Sequence, residues 1–453
     1  MRGNFQRRDL LAATFVLVAA TAATASPTGS MANRADTGLP LATEQARYRA
    51  DLGLASGIEV VTDLNTRWQN GTLPGATTEG AVLTPEEAAE VQARNDAADG
   101  IAPLARGYFT GPLAAAFGGV FIDNAAGKVA VLVTRDVADF DRTLRTKITD
   151  RAIAARLDVR KVSFSLADLD RVMALLNNHQ GSLSAAGVTL NDWGVFEDQN
   201  AVVVHVPHNT AEVRQTVLAV MPASIRPAVR FGESAGVALT GVEGVNAPPL
   251  KGGQEIDRLS GGSLVQCTSA YVAYYSRRTD AGIYIKDYYV ITAGHCSTSN
   301  NDYFTQGLGY PIGRPDRNLF GNNGTDGLRI PITAVDKSQL VAITATNDRY
   351  VYAQQALTQD RVGDPVCVSG SRTGGERCGT LQSTNITINA EGTTLANMRQ
   401  ATYFTQPGDS GGSVLFNSTA LGLTTAADGG GHSWYTHIGY LIPRLGLSAA
   451  EGV

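Results

Sequence analysis

A serine flanked by glycines is the strongest chemical signal in the chain. Residues 406–412 have the sequence QPGDSGG, in which Ser410 follows an aspartate. A serine hydroxyl is a weak nucleophile unless a base removes its proton, and acyl transfer also needs backbone N–H groups aimed at the developing oxyanion. We predict that Ser410 is a nucleophile and that the N–H groups of Gly408 and Ser410 form the oxyanion hole. Taken alone, the motif also fits an ordinary glycine-rich turn.

The base and the acid that such a serine needs are found earlier in the chain. His295 lies in the sequence TAGHC and directly follows an apolar, strand-like run. An imidazole can take up and return a proton near neutral pH. For the acid that orients the imidazole we choose Asp326, because Leu328 and Ile330 alternate with polar residues and place it at the mouth of a strand.

Two other aspartates are weaker candidates for the acid. Asp302 and Asp316 lie in polar loops, where we expect them to be exposed to solvent. The order along the chain is then histidine, aspartate, serine, which is one of the three orders known for such triads.

Composition limits the class of protein. The chain has 453 residues, with 43% hydrophobic and 17% charged residues and a net charge of −5, which favours two or three globular domains. There is no basic excess to indicate a nucleic acid or an anionic membrane as partner.

The first 25 residues have the pattern of an export signal. Three arginines precede an apolar run over residues 10–23, and an Ala-Thr-Ala cleavage sequence ends at Ala25. About 14 apolar residues are too few to span a bilayer, which needs about 20. We therefore expect a secreted product that has no membrane segment once the signal is removed. The arginine pair also leaves twin-arginine export open.

Cysteines divide the chain into two halves. All four lie near the C-terminal end, and an even number in an exported chain predicts two disulfides, with three possible pairings. No pair has the spacing of a zinc site, and we predict neither a metal nor a cofactor. The four residues are Cys267, Cys296, Cys367 and Cys378.

The cysteine-free front half has a mixed α/β pattern. A helix is predicted from Pro85, with Thr84 as N-cap and Glu87 completing a capping box. Residues 119–144 and 194–221 each have the pattern of a hairpin followed by a helix. This internal repeat predicts two small α/β subdomains.

The composition and the pattern of apolar residues change after the repeat. Residues 232–262 are dense in glycine and proline, which predicts an exposed connection. Beyond it, short strand-like runs alternate with glycines, and a helix is plausible only from about Ile442. This pattern indicates an all-β sandwich or barrel.

Together these motifs give a family resemblance. The back half, from about residue 250 to 453, resembles the chymotrypsin-fold serine proteases, and specifically the bacterial secreted branch of streptogrisins and α-lytic protease. The resemblance implies two Greek-key antiparallel β-barrels with a short C-terminal helix, and the disulfides Cys267–Cys296 and Cys367–Cys378. The segments that carry it are residues 292–296, 326–328, 367–379 and 408–412.

The resemblance also implies a role for the front half. In this branch a pro-region of repeated α/β subdomains acts as a folding catalyst and then as an inhibitor. We therefore predict a signal peptide (residues 1–25), a pro-region (26–249) and a monomeric protease (250–453), processed between Gly244 and Gly253. An independent binding module is the alternative for the front half.

Two departures from the family pattern qualify the prediction. Val368 stands where the branch usually has a basic partner for Asp409, so another donor is expected there: Arg372, Arg377 or Arg399, or else the new N-terminus made by processing. The predicted pocket wall has alanines where relatives have glycines, which favours small or medium substrate side chains. That wall consists of Thr425, Ala426 and Ala427. Asp428 behind it is expected to be solvated, and attraction of a basic substrate side chain is the alternative.

The function predicted from these residues is hydrolysis of peptide bonds in proteins or peptides. A catalytically inactive binding protein on the same scaffold, or an esterase with the same triad, is the alternative. Intact candidates for all three triad positions favour an enzyme.

Overall fold

The computed structural model describes residues 39–234, 236, 238–239, 249–260, 263–307, 309–321, 324–344 and 347–453. The predicted signal peptide and residues 244–248 of the predicted processing window lie outside the described residues. Among those described, no helix combines the length and the apolar character needed to cross a bilayer.

The front half consists of α/β structure preceded by two short helices. Its elements are α1 (Ala42–Asp51), α2 (Ile58–Gln69), α3 (Pro85–Tyr108), β1 (Phe117–Asp123), β2 (Lys128–Val133), α4 (Val137–Lys147), α5 (Arg151–Arg156), β3 (Leu157–Lys161), α6 (Leu166–Ala185), β4 (Asp192–Phe196), β5 (Ala201–Val206), α7 (Ala211–Ala219), β6 (Val229–Glu233) and β7 (Ala238–Leu239).

The same strand order occurs twice in the front half. In the first unit β1 pairs antiparallel with β2, and β2 pairs parallel with β3 across α4 and α5. In the second unit β4 pairs antiparallel with β5, and β5 pairs parallel with β6 across α7. A long helix precedes each unit, α3 in the first and α6 in the second. Each unit has its own apolar core.

The start of α3 is confirmed in detail. Thr84 Oγ1 accepts the N–H of Glu87 at 3.2 Å, and the Glu87 carboxylate accepts the N–H of Thr84 at 3.0 Å. This reciprocal pair satisfies two N–H groups that have no partner inside the helix.

The back half is rich in strands. Its elements are β8 (Glu255–Ser260), β9 (Ser263–Thr268), β10 (Tyr271–Arg278), β11 (Tyr284–Thr292), β12 (Tyr303–Gln306), β13 (Tyr310–Gly313), β14 (Arg317–Asn318), β15 (Leu328–Ile332), β16 (Leu340–Ala342), β17 (Asp348–Tyr350), β18 (Ala353–Gln354), β19 (Pro365–Gly370), β20 (Gly375–Ala390), β21 (Thr393–Ala401), β22 (Ser413–Phe416), β23 (Thr419–Ala427), β24 (Ser433–His437), α8 (Ile438–Arg444) and β25 (Ala449–Ala450).

These strands form two groups. The N-terminal strand group comprises a sheet of order β14-β15-β11-β10-β25 and a sheet of order β13-β12-β8-β9. The C-terminal strand group comprises β19 to β24, in the order β19-β22-β23-β24-β21-β20. The short C-terminal helix α8 begins at Ile438, one turn before the predicted start, because His437 caps it by accepting the N–H of Gly439 at 3.0 Å.

The glycine-rich stretch before the back half is only partly a connection. We predicted an exposed segment over residues 232–262, but β8 begins within it, and Gln254 to Arg258 are buried. A side chain at Gly252 would place its Cβ 2.0 Å from the carbonyl oxygen of Ala270. Glycine at this position permits close packing of the backbone against the first strands. The prediction that the glycine-rich stretch is exposed along its whole length was therefore wrong.

One sheet crosses from the front half to the back half. β4 pairs antiparallel with β20, with Val195 opposite Asn385 and Trp193 opposite Thr387. The C-terminal strand group therefore continues through β4 and β5 to β6. Pairing of this kind uses the free N–H and C=O groups of an edge strand.

Candidate active site

Three of the predicted side chains form one hydrogen-bonded row. The two ring nitrogens of His295 face the other members: Nδ1 lies 2.8 Å from Asp326 Oδ2, and Nε2 lies 2.8 Å from Ser410 Oγ. The Asp326 carboxylate is fully buried, while the His295 side chain is 8% exposed. The ring is thus held by a buried acid on one side and reaches the serine on the other.

The end of β11 positions the histidine. Backbone N–H of His295 donates to Asp326 Oδ1 at 3.0 Å, so the same carboxylate fixes both the ring and the main chain. Asn318 Nδ2 donates to the carbonyl oxygen of Gly294 at 3.0 Å. The Cys267–Cys296 disulfide then ties the next residue to the end of β9.

A tight loop before β22 positions the serine. Gly411 has φ of +83°, and a Cβ there would lie 2.1 Å from Thr292 Oγ1. Only glycine combines this backbone conformation with such close approach. Within the loop the N–H groups of Asp409 and Gly412 donate to Gln406 and Asp409 carbonyls, which fixes the turn that carries Ser410.

Main-chain amides hold Asp409, where we had expected an arginine side chain. Its carboxylate accepts the N–H groups of Arg372 at 3.0 Å, Thr373 at 2.9 Å and Gln406 at 2.9 Å. Burial raises the pKa of Asp409, and these hydrogen bonds oppose the rise. Three amide donors can stabilise a buried carboxylate without a cation.

Two of the three arginines that we had proposed for Asp409 make other ion pairs. Arg377 pairs with Glu44 of the front half at 2.9 Å, and Arg399 pairs with Asp360 at 2.7 Å. Both guanidinium groups therefore have carboxylate partners elsewhere.

The two alternative acids lie outside the hydrogen-bonded row. Asp302 is buried, contrary to our expectation, and pairs with Arg258 at 3.2 Å while accepting N–H groups from its own loop. Asp316 is partly exposed and pairs with Arg329 at 2.7 Å.

The predicted pocket wall is the C-terminal end of β23. Thr425, Ala426 and Ala427 are all buried, and Thr425 Oγ1 lies 3.4 Å from Thr436 Oγ1. Asp428 follows the wall and pairs with His432 at 2.9 Å. Burial alone would raise the pKa of Asp428, but hydrogen bonds from His432 and the main chain lower it. Its carboxylate is thus engaged inside its own loop.

The second predicted disulfide stabilises the hairpin beside the serine loop. Cys367 and Cys378 face each other across β19 and β20 and are bonded. The pairing is therefore the one that the family resemblance implied.

One neighbour of the histidine was not among the predicted site residues. Phe320 lies edge-to-face with the His295 ring, with 5.7 Å between the ring centroids. It follows Asn318 by two residues and precedes the acid, but nothing in the local sequence marks it. Phe320 adds an apolar wall beside the imidazole.

Comparison with known proteins identifies the back half. The trypsin family model, "Trypsin", matches residues 260–443. Serine protease 1 of Streptomyces fradiae is 25% identical over 311 residues, which cover 69% of this chain and 75% of that protein. Streptogrisin-D of Streptomyces griseus is 28% identical over 320 residues, which cover 68% and 74%.

Solved structures similar to this chain include two bacterial proteases. Nocardiopsis protease is 24% identical, with a TM-score of 0.34, and the match covers 44% of this chain and 98% of that one. Thermobifida fusca protease A is 26% identical, with a TM-score of 0.33, and the match covers 44% and 97%. The sequence match shows that residues 260–443 form a trypsin-family domain of the chymotrypsin-fold class, with streptogrisins among the relatives of this chain.

Proposed function

We propose that the chain is a serine endopeptidase that is made as a secreted preproprotein. The trypsin-family domain over residues 260–443 supports a serine protease function. The observation that carries the proposal is the row of Asp326, His295 and Ser410, with 2.8 Å at each hydrogen bond to the ring.

The triad roles are proposed from the hydrogen-bonded row, and the oxyanion-hole role is proposed from the sequence motif around Ser410. His295 Nε2 removes the proton from Ser410 Oγ as the oxygen attacks a peptide carbonyl carbon, and the same nitrogen returns the proton to the leaving amine. Asp326 holds the ring in the orientation and tautomer that this exchange needs. The N–H groups of Gly408 and Ser410 stabilise the negative oxygen that develops on the carbonyl.

The pocket wall gives the proposed side-chain preference. Ala426 and Ala427 add methyl groups where a glycine would leave open space, so the cleft accepts small or medium residues at the cleavage site. Cleavage profiling with a peptide library tests this preference, and strong selection for large aromatic residues would contradict it.

The front half is proposed to be a folding catalyst and inhibitor of the protease. Alignments of 311 and 320 residues with streptomycete proteases are longer than residues 250–453, so they extend into the front half. The sheet shared through β4 and β20 and the ion pair of Glu44 with the buried Arg377 support an intimate, structural role. Strand topologies dominated by non-local contacts fold slowly, which is the difficulty that a folding catalyst removes.

A fluorophosphonate label tests the enzymatic part of the proposal. The secreted protein should be labelled at Ser410, and Ser410→Ala should lower the turnover of casein by roughly 10⁵–10⁶-fold. Ser299→Ala, a change at an exposed serine, is the matched control and should leave turnover unchanged.

The outcome also separates the alternatives. A protein that is not labelled at Ser410 is an inactive scaffold, and the proposal fails. A protein that is labelled and turns over a simple ester but not casein is an esterase.

A further inference from the structure

One contact between the two halves places two carboxylates on a single arginine. Arg349 of β17 donates from Nη1 to Glu79 Oε1 at 2.6 Å, and the same nitrogen donates to Glu376 Oε1. Its Nη2 also donates to Glu376 Oε2 at 3.3 Å. Arg349 and Glu376 both belong to the back half, so the front half adds the Glu79 carboxylate to an ion pair that is already neutral.

These three side chains are largely screened from solvent. The exposed fractions are 9% for Glu376, 18% for Arg349 and 19% for Glu79. With one cation for two carboxylates, the group carries an excess negative charge unless one carboxyl is protonated. Two carboxylates that share a buried site repel each other, and this repulsion favours uptake of a proton by one of them.

Other charged groups from both halves surround this contact. Arg377 of β20 also acts on the Glu376 carboxyl, but it is paired with Glu44 of α1 at 2.9 Å. Tyr48 of α1 is buried against the contact, and Asp51 of the same helix adds a negative charge beside Tyr48. The front half thus brings carboxylates towards Glu376, whereas the two arginines that act on it come from the back half.

Proton binding at Glu376 therefore depends on docking of the front half. Burial raises the pKa of Glu376 from 4.5 to about 7 and the Glu79 carboxylate adds to the rise, while Arg349 and Arg377 oppose it. Opening the contact returns water to the carboxyl and takes Glu79 away, and each change lowers the pKa. Between these limits the docked state binds more protons than the open state, so docking is strongest in acid and weakens as the pH rises.

We propose that Glu79, Arg349 and Glu376 form a proton-linked latch, which holds the front half on the back half at acidic pH and loosens it towards neutral pH. When Glu376 holds the proton, Arg349 and Glu79 make a simple ion pair. When the proton is lost, two carboxylates compete for one guanidinium group. The consequence for activity, that acid keeps the front half docked and the protease inhibited, rests on the proposed function.

Hydrogen exchange in the full-length Ser410→Ala precursor tests the latch. The N–H of Asn417 donates to Glu79 Oε1 at 3.0 Å across the contact, so its protection from exchange reports directly on docking. Protection is compared at pH 5 and pH 8 after division by the intrinsic exchange rate. We expect it to fall by more than about tenfold between these pH values, because Glu376 loses its proton in this range.

Matched variants in the same precursor separate the latch from other pH-dependent groups. Glu376→Gln keeps a carbonyl acceptor for the arginine but cannot ionise, so it should remove most of the fall. Glu79→Gln leaves one carboxylate on the arginine and should also reduce the fall, which keeps the test open if the first variant does not fold. Glu391→Gln, a change at an exposed carboxyl in the same hairpin, should leave the fall unchanged.

A contact with equal charges supplies a second control. Glu44 and Arg377 form a pair of one carboxylate and one arginine. Glu44→Gln should therefore lower the protection of Asn417 by a similar factor at pH 5 and at pH 8.

Failure of the latch and failure of the proposed function are distinguishable. A full fall in both Glu376→Gln and Glu79→Gln would overturn the latch, as would protection that rises towards pH 8. Neither result concerns the proposed function, because the Ser410→Ala precursor has no nucleophile. A latch that behaves as expected, in a protein whose Ser410 does not react with fluorophosphonate, would stand while the proposed function fails.

Discussion

The two strand groups of the back half complete their packing in different ways. The core of the N-terminal strand group is the largest described, and back-half residues alone form it, including Phe304, Leu328 and the α8 residue Leu441. Smaller clusters form the core of the C-terminal strand group, and two of them contain front-half side chains. Phe196 packs on Ile386, for example.

Hydrogen bonds and ion pairs between the two halves show the same difference between the strand groups. Among pairs of described residues, the hydrogen bonds that join the halves all reach back-half residues from Arg349 onward. Within the C-terminal strand group, Glu44 pairs with Arg377 of β20 at 2.9 Å. Just before that group in the chain, Glu79 pairs with Arg349 and Asp99 pairs with Arg361, each at 2.6 Å. The comparison teaches that the C-terminal strand group depends on the front half for part of its buried structure, whereas the N-terminal strand group does not.

Removing the front half should therefore have the largest effect. With the export signal joined directly to Leu250, the C-terminal strand group loses the partner of β20 and the side chains that complete its cores. We expect the yield of fluorophosphonate-reactive protein to fall below about a tenth of the wild-type yield, because slow, non-local strand pairing competes with aggregation.

Supplying the front half as a second chain is the control for that deletion. Recovery of labelling would show that the front half acts through contact, without needing a covalent link. Full activity of the protein that starts at Leu250, with no front half present, would contradict the comparison.

A smaller loss of stability is expected from a change at Gly80, which packs between Tyr48 of α1 and the Cys367–Cys378 disulfide. Gly80 has φ of +74°, and a Cβ there would lie 2.3 Å from Cys378 Cβ and 2.7 Å from the Tyr48 ring. Gly80→Ala should lower the free energy of unfolding of the Ser410→Ala precursor by about 3–5 kcal/mol, from backbone strain and overpacking together. Denaturant unfolding measures it.

Gly71 is the matched control for this change. It has φ of +68°, but a Cβ there has no atom within 4 Å. Gly71→Ala should therefore cost only the backbone strain, about 1–2 kcal/mol. Equal losses in the two variants would show that the packing of Gly80 on the disulfide contributes nothing.

Acid-base behaviour offers a third comparison. The carboxyls whose pKa burial raises to about 6 or 7 all lie where the front half meets the C-terminal strand group. They are Glu197 (about 7), Asp364 (about 6) and Glu376 (about 7).

Glu197 gives the clearest test of these carboxyls. It accepts the N–H of Val120 at 2.7 Å and so joins the two front-half units. Burial raises its pKa from 4.5 to about 7, Arg106 and the Val120 hydrogen bond oppose the rise, and Asp360 and Asp170 add to it. The folded protein therefore prefers the protonated form.

Because the folded protein prefers protonated Glu197, stability should decrease as the pH rises. The unfolding free energy of the Ser410→Ala precursor should fall by up to about 3 kcal/mol as the pH rises from 4.5 to 7, and this contribution should stay constant above pH 7. Glu197→Gln keeps a carbonyl acceptor but cannot ionise, so it should remove this part of the fall. Glu59→Gln, a change at an exposed carboxyl, should leave it unchanged, and identical pH profiles for Glu197→Gln and wild type would refute the assignment.

The site could be predicted from sequence because its residues are marked locally. A serine between glycines, a histidine at the end of an apolar strand and an aspartate before an alternating segment each have a visible pattern. The partners of Asp409 could not be predicted in this way. They are main-chain amides of residues 372, 373 and 406, and a sequence does not show where an N–H group points.

The strand pairing that joins the two halves could not be predicted from the sequence either. The repeated hairpin-and-helix pattern is local, whereas the pairing of β4 with β20 joins edge strands almost 200 positions apart and depends only on backbone groups. Gly252 illustrates the same limit. The composition of residues 232–262 indicated an exposed connection, yet Gly252 packs closely against the main chain of Ala270.

The smallest expected effect concerns helix α3, which belongs to the front half and packs against β1 and β2. Thr84→Ala removes the hydroxyl that accepts the Glu87 N–H and should lower the unfolding free energy by about 1 kcal/mol. Thr62→Ala, a change at an exposed threonine inside α2, improves helix propensity and should cost nothing. Hydrogen exchange of the Ser410→Ala precursor separates a local from a shared effect. Faster exchange confined to the first turn of α3 would mean that the cap stabilises only its helix, whereas faster exchange in β20 as well would extend the dependence of the C-terminal strand group to the start of α3.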